Sequence, residues 1–449
     1  MRTKMAGIIF FKTADLKTIG DFYEHYLGMK LWLDQGKCRI YEHGNLRLGF
    51  CAANQADTNG TITFYYSQMQ DVDAAYDRFG DIATDSPKLN PHFRIYHFWA
   101  KDPEGRNLEF QHFLAPDYDL TQTAKPLTIL NADSAKPKLL LTMLLPDQAM
   151  QSLEQTFEVK ANTQDRQLMK SELLAGIKDA QALLCLLGDT IDAEVMDAAP
   201  KLKVISNYAV GYNNIDLEAA KARGIAVCNT PGVLTESTAD LTWALIMATA
   251  RRVVEADDFT REGLFTGWKP QLFLGQDLHD HTLGILGMGR IGQAVARRAT
   301  GFGMKILYSS RAPKDLPFEA EHVDLKRLLT ESDILSLHLP LTPQTQHLIG
   351  RDELSLMKAN AILINTARGA IVDETELIRH LKEGRIFAAG FDVYEQEPLI
   401  PQELLELENV VLLPHIGSAS IETRNRMGLM ASENAKAILE GYSAPSRVV

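Results

Sequence analysis

The sequence predicts an α/β protein with two parallel-sheet domains in its C-terminal part and a separate module ahead of them. Three observations carry this: apolar runs that alternate with helix-like segments beyond residue 137, a glycine-rich turn closing one run, and chemically unusual residues just after the later runs. Short apolar runs at 139–145, 182–187, 204–206 and 225–227 are separated by helix-like segments at 148–155, 191–199 and 217–222. Runs apolar on both faces need helices on each side, which is the arrangement of a parallel sheet. A long amphipathic segment at 236–260 leads to further runs at 283–286, 305–308, 334–338, 361–364, 387–391 and 410–413, enough for a second doubly wound sheet. Ahead of both, the proline-rich and polar stretch from Ala115-Pro-Asp-Tyr-Asp-Leu-Thr-Gln-Thr-Ala-Lys-Pro126 to Pro137 reads as an exposed connector.

The glycine-rich turn lies in Thr282-Leu-Gly-Ile-Leu-Gly-Met-Gly-Arg-Ile-Gly292. Gly287 permits a tight turn, Gly289 lets the backbone approach a pyrophosphate at a helix N-terminus, and Gly292 lets helix and strand pack closely. Such a match is weak alone; the strand before it and the helix and strand after it give it weight. Met288, Arg290 and Ile291 complete the dinucleotide-binding turn. At the tip of the next run an NAD-selective site places Asp or Glu on the ribose 2′-hydroxyl. This chain instead reads Ser309-Ser310-Arg311, hydroxyls and a guanidinium fork suited to a 2′-phosphate, so NADP(H) is preferred and NAD(H) remains possible.

Ligands of open α/β sheets collect at the carboxyl ends of the strands. There the sequence places Asn365-Thr-Ala-Arg-Gly369, Asp392-Val-Tyr-Glu-Gln-Glu-Pro398 and Pro414-His-Ile-Gly-Ser418. Taken singly, an arginine, a glutamate or a histidine is commonly an ion-pair partner or a satisfied loop residue. Their occurrence at successive strand ends is what points to chemistry.

Composition excludes other classes. With 45% hydrophobic and 23% charged residues, the 449-residue chain is that of a globular protein with two or three domains. A net charge of -12 without a basic block argues against nucleic-acid or anionic-membrane partners. No apolar run approaches a membrane span, and no signal segment precedes the first run. Cys38, Cys51, Cys185 and Cys228 lack C-x-x-C spacing and read as reduced thiols of a cytoplasmic protein.

From about residue 138 onward the chain resembles the D-isomer-specific 2-hydroxyacid dehydrogenases, and within them the glyoxylate/hydroxypyruvate reductases. The likeness rests on Ser206-Asn-Tyr-Ala-Val-Gly-Tyr-Asn-Asn-Ile-Asp216, Asn229-Thr-Pro-Gly232, the glycine-rich turn, His338-Leu-Pro-Leu-Thr342 and the three strand-end motifs. It implies a Rossmann coenzyme domain, 236–417, inserted into a flavodoxin-like substrate domain, 138–235 and 418–449, after a linker at 119–137. It also implies that Arg368 grips the substrate carboxylate, that His415 donates a proton to the carbonyl oxygen, and that Glu397 orients His415 and favours its charged form. Backbone N–H groups of Val210 and Gly211 are expected on the other side of that carboxylate. Thr366 and Ala367 belong beside the coenzyme, and Asp392 either bonds the nicotinamide amide or braces the strand end. The substrate is then a small 2-oxoacid. A corepressor-like nucleotide sensor on the same fold is the competing class; the joint presence of the trio and the coenzyme turn favours the enzyme. The 236–260 segment resembles the family's dimer-forming helices, so a homodimer is expected. Trp268 either reaches a neighbouring site or packs locally.

Residues 1–118 resemble the glyoxalase/bleomycin-resistance/dioxygenase family, through Ala6-Gly-Ile-Ile-Phe-Phe-Lys-Thr-Ala-Asp15, Asp21-Phe-Tyr-Glu-His-Tyr-Leu-Gly28 and Lys101-Asp-Pro-Glu-Gly-Arg-Asn-Leu-Glu-Phe110. The likeness implies an α+β domain of paired βαβββ modules, the second starting near Thr61. Glu109 stands where the family's last metal-binding carboxylate is expected, whereas Ile8, Thr63 and Phe64 occupy other ligand positions. Open metal centres commonly use about three protein ligands, so the expectation is no metal and a role in ligand binding or assembly. His92, His97 and His112 are the residues that could rebuild a centre, which would make the chain bifunctional.

Overall fold

The computed structural model describes residues 9–43, 46–59, 61–66, 68–90, 95–114, 127–164 and 166–449, so Ile8 and His92 lie outside the described residues. The chain forms two compact units, Met1–Lys125 and Pro126–Val449.

The N-terminal unit has the expected paired-module architecture. One sheet runs Ile9–Thr13, Leu46–Ala52, Cys38–His43, Lys30–Asp34; the other runs Thr61–Tyr65, Asn107–Phe113, Ile95–Lys101, Lys88–Asn90. In each, the first strand of the module pairs in parallel with its last. The helices Leu16–Leu27 and Met69–Phe79 bury Ile19, Phe22, Tyr23, Val72, Ala75 and Phe79 in one core with Phe50, Phe98 and Phe110. Asp15 caps the first helix by accepting the Lys17 and Thr18 N–H groups, and Gly28 ends it at φ +62°. Arg106, 2% exposed, ties the modules: it pairs with Asp102 and Glu104 and donates to the Lys12 carbonyl.

Cys38 and Cys51 form a disulfide, which corrects the reading of all four cysteines as reduced thiols. They face each other directly across the antiparallel pair Cys38–His43 and Leu46–Ala52. Strand register brings them together, and spacing along the chain does not reveal it. Cys185 and Cys228 are free and buried, and burial raises the pKa of both thiols. The cysteines therefore give no support to a reducing compartment.

The second unit holds two mostly parallel sheets. The first runs Ala226–Cys228, Val204–Asn207, Ala182–Cys185, Lys138–Leu141, Glu158–Asn162, Leu127–Ile129. Its last member corrects part of the expected connector. Leu127–Ile129 pairs antiparallel with Glu158–Asn162, because Leu127 packs under Gly176, where no side chain stands in its way. The helix Ile421–Leu439 returns to this sheet, burying Met427, Ala431 and Ala435 and setting Gly428 against Ala149. Ser206 Oγ donates to the Ala431 carbonyl, and Asn434 Nδ2 donates to that of Asn229. The chain thus completes this sheet from two separated segments.

The second sheet runs Glu321–His322, Lys305–Ser309, Thr282–Leu286, Ile334–Leu337, Ile362–Asn365, Ala388–Phe391, Val410–Leu412, parallel throughout. The single amphipathic segment expected at 236–260 is two helices, Thr235–Ala250 and Val253–Arg261, broken at Arg252 with φ +53°. The first is held against the helix Arg290–Ala299 by Trp243, whose ring stacks on Phe302 just beyond that helix and whose Nε1 donates to the Val295 carbonyl. Burying an apolar side chain of that size stabilises by about 2–3 kcal/mol, enough to fix this helix beside the glycine-rich turn. Among the described residues no helix is long and apolar enough to cross a membrane.

Candidate active site

The glycine-rich turn is built as its residue types demand. Gly287 has φ +103°, and a Cβ there would lie 2.6 Å from the His338 carbonyl oxygen. A Cβ on Gly292 would lie 2.2 Å from the Gly287 carbonyl oxygen, so any side chain would push the helix Arg290–Ala299 off the strand. Gly289 and Arg290 are exposed at the helix start, where first-turn N–H groups lack intrahelical acceptors. The Met288 side chain is buried in the core, leaving its backbone to the turn. Ile291 is partly buried against the same core. These features fit a dinucleotide pyrophosphate. Beyond the next strand, Ser309 and Ser310 are partly buried, Ser310 Oγ donates to the Ala312 carbonyl, and Arg311 is exposed. Among the described residues Arg311 makes no ion pair.

Asn365 shapes the loop after Ile362–Asn365: its Oδ1 accepts the Ala367 N–H and its Nδ2 donates to the Arg368 carbonyl. Thr366 is buried, its hydroxyl 2.9 Å from that of Thr242. The half-buried Arg368 guanidinium lies against Gly211 across the space between the two sheets; a Cβ on Gly211 would be 1.8 Å from Nη2. Burial pulls the arginine pKa down and the Glu397 charge opposes that. The loop holding Gly211 is braced through its carbonyls, Asn229 donating to Val210 and Asn207 to Gly211. Among the described residues the Val210 and Gly211 N–H groups meet no protein acceptor.

His415 Nδ1 is 2.7 Å from Glu397 Oε2, and the two side chains are 30% and 35% exposed. His415 sits at φ +55°, an uncommon conformation for a residue with a Cβ. Glu397 Oε1 accepts the Tyr394 N–H. Burial works to raise the Glu397 pKa, but the His415 bond and charge, the Tyr394 N–H and Arg368 outweigh it and hold it below the ordinary value. Asp392, 1% exposed, accepts the Ile416 and Gly417 N–H groups at 2.7 Å each, the bracing arrangement for the His415 loop.

The structure therefore brings Arg368, Glu397, His415, Val210 and Gly211 to one cleft. Sequence reasoning missed Asn207, Asn229 and Asn365 as braces; their positions one to four residues before bent loops were the available signal. It also missed Asn213, whose Nδ2 donates to the Leu341 carbonyl across the same cleft. His338 is partly buried, desolvation pushes its pKa down to about 3 so that it is neutral, and it bonds Ser336 Oγ. His279 and His281 bond loop carbonyls, and Trp268 is 84% exposed. A cavity of about 350 Å³ opens beside Arg290 and Gln293. A larger one, about 540 Å³, lies among Arg252, Phe387 and Val410 at the amino ends of the strands, away from the trio.

In the N-terminal unit, Glu109 Oε1 is 2.8 Å from His97 Nδ1 and Oε2 accepts the Thr63 hydroxyl. His112 Nδ1 lies 3.0 Å from the Tyr66 carbonyl oxygen. Among the described residues, no group of three or more His, Cys, Asp or Glu side chains is placed to hold a metal ion.

Residues 243–417 match the NAD-binding domain of the D-isomer specific 2-hydroxyacid dehydrogenases. The chain is 51% identical over 320 residues to a glyoxylate reductase of Thermococcus litoralis, covering 70% of this chain and 97% of that one. A glyoxylate reductase of Korarchaeum cryptofilum is 52% identical over 318 residues, 70% of this chain and 96% of that one. Among solved structures, an NADPH-dependent glyoxylate/hydroxypyruvate reductase from Sinorhizobium meliloti, in complex with NADP and malonate, superposes with TM-score 0.63 at 34% identity over 70% of this chain and 97% of its own. With the glycine-rich turn, the second sheet and the strand-end residues in place, the chain belongs to the D-isomer specific 2-hydroxyacid dehydrogenase family and is an NAD(P)-dependent oxidoreductase.

Proposed function

We propose that this protein reduces small 2-oxoacids of the glyoxylate and hydroxypyruvate class to D-2-hydroxyacids, with NADPH preferred over NADH. The observation that carries the reading is the Arg368 guanidinium against Gly211, in the same cleft as the Glu397–His415 pair. The names of the relatives support the substrate class.

Arg368 donates to the substrate carboxylate and polarises the neighbouring carbonyl, while the Val210 and Gly211 N–H groups take the carboxylate from the other side. His415, as imidazolium, transfers its Nε2 proton to the carbonyl oxygen; Glu397 keeps Nδ1 bonded and compensates the positive charge of the ring. A nicotinamide coenzyme bound along the glycine-rich turn would supply the hydride for the carbonyl carbon. Gly287 to Gly292 would hold its pyrophosphate, Ser309, Ser310 and Arg311 its 2′-phosphate, and Thr366 and Ala367 the nicotinamide end, with Asp392 bracing the His415 loop beside it. The halves that meet across the cleft are a substrate domain, 138–235 and 418–449, and a coenzyme domain, 236–417. Exposed Met247, Val253, Val254, Leu264, Phe265, Trp268 and Leu274 support a homodimer through the second of these. The N-terminal unit serves ligand binding or assembly without a metal.

Steady-state oxidation of NADPH and NADH against a panel of 2-oxoacids tests the reading. No turnover by the wild type with any of them would end it. Arg311→Ala raises KM for NADPH on the order of tenfold and leaves that for NADH nearly unchanged, the loss of one charge-assisted contact; equal effects on both would remove the basis for NADPH preference.

A further inference from the structure

Glu374 opens the helix Glu374–Lys382 and is 5% exposed, an unusual place for a carboxylate that no step above uses. It accepts the Glu395 N–H at 2.7 Å. Glu395 and Glu397 share the short turn after Ala388–Phe391, and that turn is also pressed against Gly369, where a Cβ would lie 1.8 Å from the Tyr394 carbonyl carbon. The Glu395 side chain reaches the other way, to His347 Nε2 at 2.7 Å. The turn carrying Glu397 is thus fastened to the same loop that carries Arg368, and Glu374 is the buried fastening point.

We propose that Glu374 is a positioning residue for the reduction: by holding the Glu395 N–H it fixes the turn that presents Glu397 to His415. The inference rests on the reductase reading given above. The charged groups around it are Glu395, paired with His347; Glu397, paired with His415 and facing Arg368; and Asp373, which caps its own helix. Burial first, then the charges of Glu395 and Glu397, raise the Glu374 pKa above the ordinary glutamate value despite the hydrogen bond.

Glu374→Ala removes the acceptor. It lowers kcat roughly tenfold, the worth of one hydrogen bond, with KM for the 2-oxoacid and for NADPH within about twofold of wild type. Glu374→Gln keeps an oxygen for the Glu395 N–H and recovers most of that rate. The His415 Cε1–H resonance, assigned by its absence in His415→Asn, moves in Glu374→Ala and returns to its wild-type position in Glu374→Gln, which reports the placing of the turn without turnover. It therefore tests Glu374 even if the 2-oxoacid panel fails. An Ala variant with wild-type kcat, a Gln variant as slow as Ala, or an unmoved His415 resonance in the Ala variant would each overturn the proposal.

Discussion

Both units contain a histidine bonded through Nδ1 to a glutamate, and the two pairs differ in everything but that bond. His97–Glu109 is 2.8 Å apart, nearly buried at 6% and 13% exposure, and bridges neighbouring strands of one sheet with Thr63 on the other carboxylate oxygen. His415–Glu397 is 2.7 Å apart, about a third exposed, lies beyond the strand ends, and has Arg368 as an electrostatic neighbour. The first pair satisfies its own polar groups inside a sheet. The second leaves a ring nitrogen and a guanidinium facing a cleft. A histidine–carboxylate bond is thus no sign of catalysis until an anchor for the reactant stands beside it.

Substitution on each side gives the sharpest contrast. His415→Ala is expected to lower kcat/KM for a 2-oxoacid between about a hundredfold and ten-thousandfold, the range of a lost general acid. Arg368→Ala falls in the same range and affects KM for the 2-oxoacid as well. His97→Ala leaves these constants within about twofold but lowers stability by about 1–3 kcal/mol, because Glu109 keeps a buried oxygen without its partner. Urea unfolding of the full chain reads that loss. If His97→Ala slowed the reductase as His415→Ala does, the two pairs would not be separable in function.

A smaller effect concerns pH. The Glu397 pKa is depressed in the folded protein, so its carboxylate persists as pH falls below the ordinary glutamate value of about 4.3 and is protonated only lower down. The acid limb of kcat/KM should therefore lie below about pH 4.3. A wild-type acid limb centred above pH 5 would remove Glu397 as the group that keeps His415 in place.

Much of this was legible along the chain, for physical reasons that differ by element. Gly287 and Gly292 are visible because steric demands name the residue, and Arg368, Glu397 and His415 because parallel strands end where ligands bind. The strand Glu158–Asn162 was missed: Glu158, Lys160 and Asn162 interrupt its apolar pattern, although Val159 and Ala161 are buried. The break at Arg252 escaped notice because a left-handed arginine leaves no mark in hydrophobic periodicity. The Cys38–Cys51 bond and the His97–Glu109 pair depend on register and on diagonal neighbours across a sheet, which strand alternation alone does not fix.

The empty position at Gly211 has a consequence of its own. The residue contributes no functional side-chain atom, yet the space where its Cβ would stand is taken by the Arg368 guanidinium. Alanine there would be a resident obstacle: the arginine, flexible at its tip, would yield before the backbone did. Such a protein would fold while the guanidinium proposed to grip the reactant was pushed out of line. On the proposed reading, a single methyl group would separate recognition of the reactant from recognition of the coenzyme.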